Sequence, residues 1–247
     1  MCTVTYIPTS EKKFITSNRD EKTFRKKALP PQPYLHDQVR LIYPKDGDAG
    51  GSWIALNENG NVAVLLNGGF EKHVSKPPYR KSRGLVFLDI IKHATPAKYF
   101  LDVDLFKIEP FTVIILGQSK LFECRWTGDK KFCKELDPLK LYIWSSVTLY
   151  DEDVRKKREQ WFKQWLNKNP SPDQNDILKF HQFAGDGNKD TDLLMKRGEL
   201  YHTVSITSIE LESKSRRICY YDLSSDEMHH LQTKILTAAS SQNECNV

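Results

Sequence analysis

Long apolar segments are missing from this sequence of 247 residues, and no run approaches the roughly 20 residues that a membrane-spanning helix needs. The start also lacks a basic segment followed by an apolar one, so we expect no signal peptide. The five cysteines show no CxxC spacing, and they are Cys2, Cys124, Cys133, Cys219 and Cys245. An odd number of cysteines without a secretion signal predicts reduced thiols and a cytoplasmic location.

Clustered charge is equally scarce. The formal net charge of +5 arises from 37 basic and 32 acidic residues spread over the whole chain. The basic residues include short pairs separated by acids, namely Lys26-Lys27, Lys130-Lys131, Lys156-Lys157 and Arg216-Arg217. A nucleic-acid interface needs a concentrated basic face, so we interpret these pairs as solvated surface and expect no nucleic-acid partner.

Metal-binding patterns are also missing. Cys124 and Cys133 are interpreted as packing residues of the core or of a sheet edge, because they lack the spacing of a metal-binding pair. His229 and His230 are adjacent, and adjacent side chains on a strand or helix point in different directions. The sequence therefore predicts no metal site.

No internal repeat and no convincing linker divides the chain. Residues 1–247 are predicted to form one soluble domain with a tail that frays from about residue 237. Residues 23–37 are interpreted as a loop, and 226–247 as a short helix at most. Helices are predicted from Ser82 to about His93, from Asp151 to Asn167 and from Ser171 to Phe183. These segregated blocks indicate an α+β fold with two sheets packed face to face between helices.

The chain opens with a residue that can carry chemistry. Removal of Met1 would leave Cys2 with both a thiol and a free α-amine. A thiol nucleophile beside its own amine base forms a complete proton-transfer pair within one residue. The alternation that follows predicts a strand from Cys2 to Pro8, with Cys2 and Val4 on the same face.

A second strand, Phe14 to Ser17, is predicted to form a hairpin with the first. It leads into Asn18-Arg19-Asp20, which is interpreted as the turn where this strand ends. Antiparallel pairing of the two strands would place these three residues beside Cys2, at about the same level along the hairpin. A nearby arginine favours the thiolate of a cysteine, and a carboxylate there could orient the arginine or hold the α-amine.

Another candidate position closes the clearest hairpin of the sequence. The strand from Asn61 to Asn67 is apolar on both faces and ends in Asn67-Gly68-Gly69. An amide side chain at such an end, together with the backbone N–H groups that follow, could stabilise a tetrahedral oxyanion. The alternative is an asparagine that closes a turn.

Several segments of the sequence, taken in order, resemble one known family. They are MCTVTY at the N-terminus, SNRDE at 17–21, AGGSW at 49–53, NENG and AVLLNG within 57–68, and SRG at 82–84. These segments are similar to the NRDE family, which is also called the transport-and-Golgi-organisation-2 family. The resemblance is best over about the first 95 residues. It implies a four-layer αββα sandwich of the N-terminal-nucleophile hydrolase type.

The opening also looks like the cysteine members of that superfamily, the bile-salt hydrolases and penicillin V acylases. By position, this resemblance implies that Cys2 is the nucleophile and its freed α-amine the base. Arg19 and Asp20 would be the electrostatic partners, and Asn67 an oxyanion donor.

Residues expected to contact the substrate are Asn18, Gly68, Arg83 and Ser146. Those hydrolases carry a second asparagine near the junction at 145–147, where this chain has Ser145-Ser146-Val147. A serine hydroxyl is shorter than an asparagine amide and can donate one hydrogen bond.

The resemblance implies two possible functions, and both involve a small molecule. The first is a cysteine hydrolase that cleaves a linear amide in a small acylated metabolite without a cofactor. The second is a non-catalytic ligand-binding or trafficking protein on the same fold, with haem or a lipid-like molecule as its ligand.

Overall fold

The computed structural model describes residues 3–117, 119–213 and 215–234. In chain order the strands are β1 (Thr3–Pro8), β2 (Lys13–Lys22), β3 (Leu29–His36), β4 (Val39–Lys45), β5 (Ile54–Asn57), β6 (Val62–Asn67), β7 (Phe111–Leu116), β8 (Leu121–Trp126), β9 (Lys131–Leu136), β10 (Tyr142–Ser145), β11 (Lys196–Arg197), β12 (Tyr201–Leu211), β13 (Ser215–Asp222) and β14 (Glu227–Lys234). The helices are α1 (Arg83–Ile91), α2 (Pro96–Asp102), α3 (Glu152–Lys168) and α4 (Gln174–Phe183).

The strands form two antiparallel sheets. Sheet I has the order β10-β1-β2-β12-β13-β14, with β11 beside β12. Sheet II runs in chain order from β3 to β9. The β1–β2 hairpin predicted from the sequence is confirmed, and its register places Thr3 beside Asn18. In the described part of the chain the fold therefore mixes two antiparallel sheets with four helices, in line with the predicted α+β class.

Four apolar clusters hold the described elements together, and the smallest packs Leu178 of α4 against Ile206 and Cys219 of sheet I. The first joins side chains of both sheets, such as Val4 and Ile15 of sheet I with Ile54 and Val64 of sheet II. The second packs sheet II against α1 and α2. The third packs β1 and β2 against α3 and α4, with Phe162 at its centre. Apolar contacts therefore link the two sheets to each other and link each sheet to helices.

The caps of the helices follow from short polar side chains. Ser82 accepts a hydrogen bond from the backbone of Leu85 and begins α1 as predicted. Asp151 caps α3 in the same way. Helix α4 begins later than predicted, because Asp173 and Asp176 form a reciprocal capping box that fixes its start.

Three sequence predictions are wrong. Residues 23–37 contain strand β3, whose prolines are tolerated because β3 lies at the edge of sheet II. Within 226–247, Glu227–Lys234 is strand β14 and not a helix, while the segment after Lys234 lies outside the described residues. Asn18, Arg19 and Asp20 form no turn, since β2 continues to Lys22 and pairs with β12 along its length.

Candidate functional site

The beginning of β1 lies between two neighbouring strands. Thr3 is paired with Asn18 of β2 on one side and with Ser145 of β10 on the other. Met1 and the predicted nucleophile Cys2 lie outside the described residues. The structure therefore shows the surroundings of Thr3, which is joined to Cys2 by one peptide bond.

Side chains of β2 alternate between the two sides of sheet I. Ile15 faces the core shared with sheet II, while Phe14 faces α3 and α4. Arg19 follows Ile15 by four residues, and its guanidinium lies over the ring of Trp53 at 4.5 Å. Asp20 is on the opposite side. Adjacent in sequence, Arg19 and Asp20 are therefore separated by the sheet.

Arg19 is a buried cation with acidic partners. It is 3% exposed, donates a hydrogen bond to Asp46, and lies 3.5 Å from a Glu21 oxygen. Burial alone would raise the pKa of Asp46, but the Ala49 N–H and the charges of Arg19 and its neighbour Arg25 hold it below its usual value. Asp46 thus takes the role of orienting the arginine that the sequence suggested for Asp20.

Asp20 is held by two hydroxyl groups on the helical side of sheet I. Tyr150 donates to one carboxylate oxygen at 2.8 Å, and Thr203 of β12 donates to the other at 2.5 Å. The carboxylate is 3% exposed. These contacts tie β2, β12 and the segment before α3 together on the side of sheet I away from Arg19.

Asn67 lies at the end of β6 and faces two cavities. One has a volume of about 400 Å³ and is shared with Arg19, while the other has about 120 Å³ and is shared with Ser146. The side-chain oxygen Oδ1 of Asn67 is buried and has no hydrogen-bond partner within residues 3–234 as described. An unsatisfied buried polar atom is costly and therefore uncommon away from functional sites.

The hydrogen-bond donors expected around Asn67 are already in use. The Gly68 N–H donates to the Pro110 carbonyl at 3.0 Å. The Ser146 hydroxyl donates to the Asn67 carbonyl at 2.9 Å and lies 2.9 Å from the Thr148 hydroxyl. Gly68 has a φ of 87°, a region that favours glycine. In this arrangement Gly68 and Ser146 close the turn and offer no spare donor.

Arg83 begins α1 at the wall of the larger cavity. Its guanidinium lies 3.1 Å from Glu109 and donates to the Pro110 carbonyl at 3.3 Å. Burial lowers the pKa of this arginine, although the charge of Glu109 opposes the shift. Glu109 also contacts His73 at 3.2 Å. Arg83 is therefore a paired wall residue of the cavity and not a solvated first-turn residue.

The larger cavity, called the cleft below, is lined mainly by polar and charged side chains. Its basic and acidic side chains are Arg19, Arg25, Lys81, Arg83, Glu21, Asp46 and Glu109. Close contact of Gly51 with Gly84 joins the wall to α1, since a Cβ on Gly51 would lie 2.5 Å from the Gly84 carbonyl carbon. Trp53 also lines the cleft, and its Nε1 is buried with no hydrogen-bond partner among the described residues.

Asn18 is fully buried on the helical side of sheet I, away from the cleft. Its Nδ2 donates to the carbonyls of His181 at 3.1 Å and Leu193 at 2.7 Å. Its Oδ1 can only accept, so Nδ1 of His181 carries the proton in their 2.5 Å contact. Nε2 of His181 therefore accepts from the Thr5 hydroxyl at 2.8 Å. This network ties α4 to β1 and β2.

Arg158 is a site-supporting residue that sequence reasoning missed. It is fully buried, donates to the Thr3 hydroxyl, and also donates to the carbonyls of Thr191 and Asp192. Its guanidinium stacks 3.6 Å from the ring centre of Tyr150. The sequence could have indicated its burial, because Arg158 lies four residues before Phe162 and therefore on the same face of α3.

Metal ligands are not assembled in this region. Across residues 3–117, 119–213 and 215–234, no three histidine, cysteine, aspartate or glutamate side chains are grouped so that they could hold an ion. In the same ranges, no helix has the length and apolar character that crossing a membrane would require.

Comparison with protein families identifies the chain. A family model described as Transport and Golgi organisation 2 matches residues 1–243. The chain belongs to this family. A comparison with curated proteins finds no match.

Solved structures similar to this member of the Transport and Golgi organisation 2 family are N-terminal-nucleophile hydrolases. The Caenorhabditis elegans ortholog of N-acylethanolamine-hydrolyzing acid amidase has a TM-score of 0.56 at 12% identity, over 84% of this chain and 92% of that one. A cysteine-to-alanine mutant of the conjugated bile acid hydrolase from Clostridium perfringens has a TM-score of 0.55 at 10% identity, over 94% and 96%. An arginine-to-leucine variant of the same hydrolase has a TM-score of 0.52 at 13% identity, over 99% and 100%. At these identities the likeness concerns the fold.

We predict that Arg158→Met destabilises the protein by about 3 kcal/mol or more, because it removes the donor from one buried and two partly buried acceptors at a cost of about 1–3 kcal/mol each. Those acceptors are the Thr3 hydroxyl and the Thr191 and Asp192 carbonyls. Urea denaturation measures the change. Lys157→Met is the matched control on α3, because Lys157 is 52% exposed at its side chain, and its effect should stay within about 0.5 kcal/mol. Equal effects of the two substitutions would contradict the assignment.

His181 predicts an acid-dependent loss of stability. Burial, followed by the charge of Arg158, lowers the pKa of His181 to about 3. Below about pH 6.5 the unfolded chain takes up a proton that the folded chain refuses, so stability falls as pH decreases toward 3. Between pH 7 and pH 5 this residue should remove about 2 kcal/mol of the free energy of unfolding.

Urea unfolding at both pH values measures this contribution. His181→Gln should show a smaller decrease in stability between pH 7 and pH 5 than the unsubstituted protein. His202→Gln is the control, because His202 contacts a carbonyl in an exposed turn. An unchanged pH dependence in His181→Gln would show that His181 is protonated in the folded state.

Proposed function

We propose that this protein is a cysteine hydrolase of the N-terminal-nucleophile type that cleaves a linear amide bond in a small acylated metabolite. Cys2 is the nucleophile in this proposal, after removal of Met1. Support comes from the family, from a fold shared with an N-acylethanolamine-hydrolyzing acid amidase and a conjugated bile acid hydrolase, and from the cleft.

The proposal includes a four-layer αββα arrangement. The apolar clusters support it, because one joins the two sheets and the others join each sheet to its own pair of helices. In this arrangement the cleft opens at one end of the core between the sheets. Arg19 reaches it from sheet I, and Asn67 reaches it from sheet II.

The observation that carries the proposal is this meeting of Arg19 and Asn67 at one cleft. The register of the β1–β2 pair supports a position for Cys2 beside them. Thr3 is paired with Asn18, and Arg19 is the residue that follows Asn18 in β2. The alternation of side chains along β1 supports placing the Cys2 side chain on the face of sheet I that Arg19 occupies. Residues two apart in a strand share a face, and Val4 packs in the core between the sheets. An arginine there favours the thiolate.

Two unsatisfied polar atoms at the cleft fit the chemistry of an amide. Asn67 Oδ1 is a buried acceptor and Trp53 Nε1 is a buried donor, and neither has a hydrogen-bond partner among the described residues. An amide group offers one donor and one acceptor. We assign Trp53 Nε1 as the second donor to the oxyanion, together with the Nδ2 group of Asn67, because Gly68 and Ser146 have their donors engaged. The Oδ1 atom of Asn67 can only accept and would face the substrate N–H.

The proposed mechanism begins with proton transfer inside Cys2. Its α-amine has an ordinary pKa of about 7.7–8.0 and its thiol one of about 8.5, so the transfer is nearly balanced near neutral pH. The thiolate sulfur attacks the amide carbon, and the oxygen becomes an oxyanion held by Asn67 and Trp53. The α-ammonium then protonates the leaving amine. Water, deprotonated by the α-amine, attacks the thioester and releases the carboxylic acid and the thiol.

The character of the cleft supports a polar substrate. The cleft is lined by four basic residues, Arg19, Arg25, Lys81 and Arg83, and by three acidic ones, Glu21, Asp46 and Glu109. Each of the four basic side chains forms an ion pair, and the partner of Lys81 is Asp89. Burying a large apolar ligand against such a wall would desolvate charges without replacing their contacts. We therefore infer a small acylated metabolite with polar groups near the amide.

The test is an intact-mass measurement combined with thiol labelling of native protein. We expect a mass that lacks Met1, and alkylation of Cys2 by iodoacetamide at least about tenfold faster than that of buried Cys219, because the thiolate is the reactive form. A panel of N-acyl amides should then yield free amine, and Cys2→Ala should abolish the release. Cys219→Ala is the matched control and should retain it. Retention of Met1 in native protein would contradict the mechanism.

A second function, ligand binding without turnover, is favoured by one observation. The Gly68 N–H and the Ser146 hydroxyl both donate to backbone carbonyls, which leaves fewer hydrogen-bond donors for an oxyanion. A carrier of haem or a lipid-like ligand needs no oxyanion site. Titration with haem distinguishes this function, because a Soret shift that Cys2→Ala abolishes would support it. The absence of a shift, together with amide turnover, would exclude it.

A further inference from the structure

A pair of cysteines faces each other across two strands of sheet II. Cys124 of β8 and Cys133 of β9 are directly opposite in the antiparallel register. Their sulfur atoms are 2.9 Å apart, and both are free thiols. Directly opposed residues in such a ladder have Cα atoms about 4.5–5.5 Å apart, which lies within the range of about 4.4–6.8 Å that disulfides adopt.

We propose that Cys124 and Cys133 form a reversible cross-strand disulfide, and that peroxides are the class of oxidant that this site takes. The proposal is independent of the cleft and of Cys2. The sulfur atoms need to approach by only about 0.9 Å to reach the bonded distance of about 2.05 Å. Rotation of the side chains can provide that approach without moving the strands.

The surroundings of the two sulfur atoms make them unequal. Cys124 is fully buried, while Cys133 is partly exposed on β9, which forms the edge of sheet II. A hydrogen bond from the Cys124 thiol lowers the pKa of Cys133, and the same bond, followed by burial, raises the pKa of Cys124. The accessible sulfur is therefore the one that more readily becomes a thiolate, as a peroxide-reactive thiol requires.

The reaction balances with one peroxide and two thiols. The Cys133 thiolate attacks one oxygen of hydrogen peroxide, the O–O bond breaks, and hydroxide leaves, so that Cys133 becomes a sulfenic acid. The Cys124 sulfur then attacks the Cys133 sulfur, and the S–O bond breaks. The thiol proton of Cys124 joins this second hydroxide, and the proton that Cys133 released on forming its thiolate joins the first, so the products are a disulfide and two water molecules. A small thiol restores both cysteines by exchange.

The third described cysteine gives a natural contrast. Cys219 is 1% exposed, and burial raises its pKa to about 11. Its sulfur contacts the thioether of Met228 and not a second thiol. Peroxide should therefore leave Cys219 reduced under conditions that oxidise the opposed pair.

The test uses reduced full-length protein treated with hydrogen peroxide, followed by alkylation of remaining thiols and tryptic digestion without reduction. Cleavage after lysine and arginine places Cys124 in residues 121–125 and Cys133 in residues 132–134. We expect these two peptides to be joined, with a loss of two hydrogen atoms, about 2 Da. Addition of dithiothreitol should separate them.

Three variants make the outcome decisive. Cys133→Ser should eliminate the joined peptide, and Cys219→Ser should leave its yield unchanged. Cys124→Ala, which keeps the exposed thiol, should accumulate a sulfenic acid at Cys133 that dimedone captures. Circular dichroism verifies that each variant is folded. Finding both cysteines alkylated after peroxide treatment, or Cys133 converted directly to sulfinic acid in the unsubstituted protein, would overturn the proposal.

Discussion

The site depends on the alternation of side chains along β2, which lies between β1 and β12 in sheet I. Successive residues of a strand face opposite sides, so Arg19 reaches the cleft and Asp20 reaches the helical side. A slip of one residue in the pairing with β1 or β12 would exchange these two charges. The Arg19–Asp46 pair and the hydroxyl contacts of Asp20 each resist that exchange.

Parts of this arrangement could be predicted from the sequence because their causes are local. The β1–β2 hairpin follows from alternation, and the start of α1 follows from a serine that can cap it. The place of Asn67 at the end of a buried strand follows from an apolar run closed by two glycines.

Other parts could not be predicted because their causes are distant in sequence. Polar residues such as Asn18 and Asp20 have low strand propensity and suggest a turn. They are nevertheless in β2, because β12 pairs with them from nearly 200 residues away and supplies the Thr203 hydroxyl. The pairing of Arg19 with Asp46 likewise could not be predicted, because Arg19 belongs to sheet I and Asp46 follows β4 of sheet II.

The two buried arginines near the start of β1 differ in how much of their positive charge is cancelled by nearby carboxylates. Arg19 has carboxylate neighbours, so much of its field is cancelled before it can act on a thiol. Arg158 is held by neutral oxygen atoms and a tyrosine ring, and its charge adds to the effect of burial in lowering the pKa of His181. Its field is therefore less cancelled, although its contacts are on the helical side.

This contrast bears on how a thiol beside Thr3 would be activated. In the proposed mechanism a nearby positive charge would favour a neutral amine as well as a thiolate, and Arg158, which contacts Thr3, is the less compensated of the two arginines. Arg19, largely neutralised by Asp46, is better suited to orienting a polar substrate over Trp53. The proton transfer within one residue then needs less help from Arg19 than the sequence motif alone suggests. In the proposed mechanism the weaker element is the oxyanion site, where Trp53 would replace the donor that Ser146 directs to the Asn67 carbonyl.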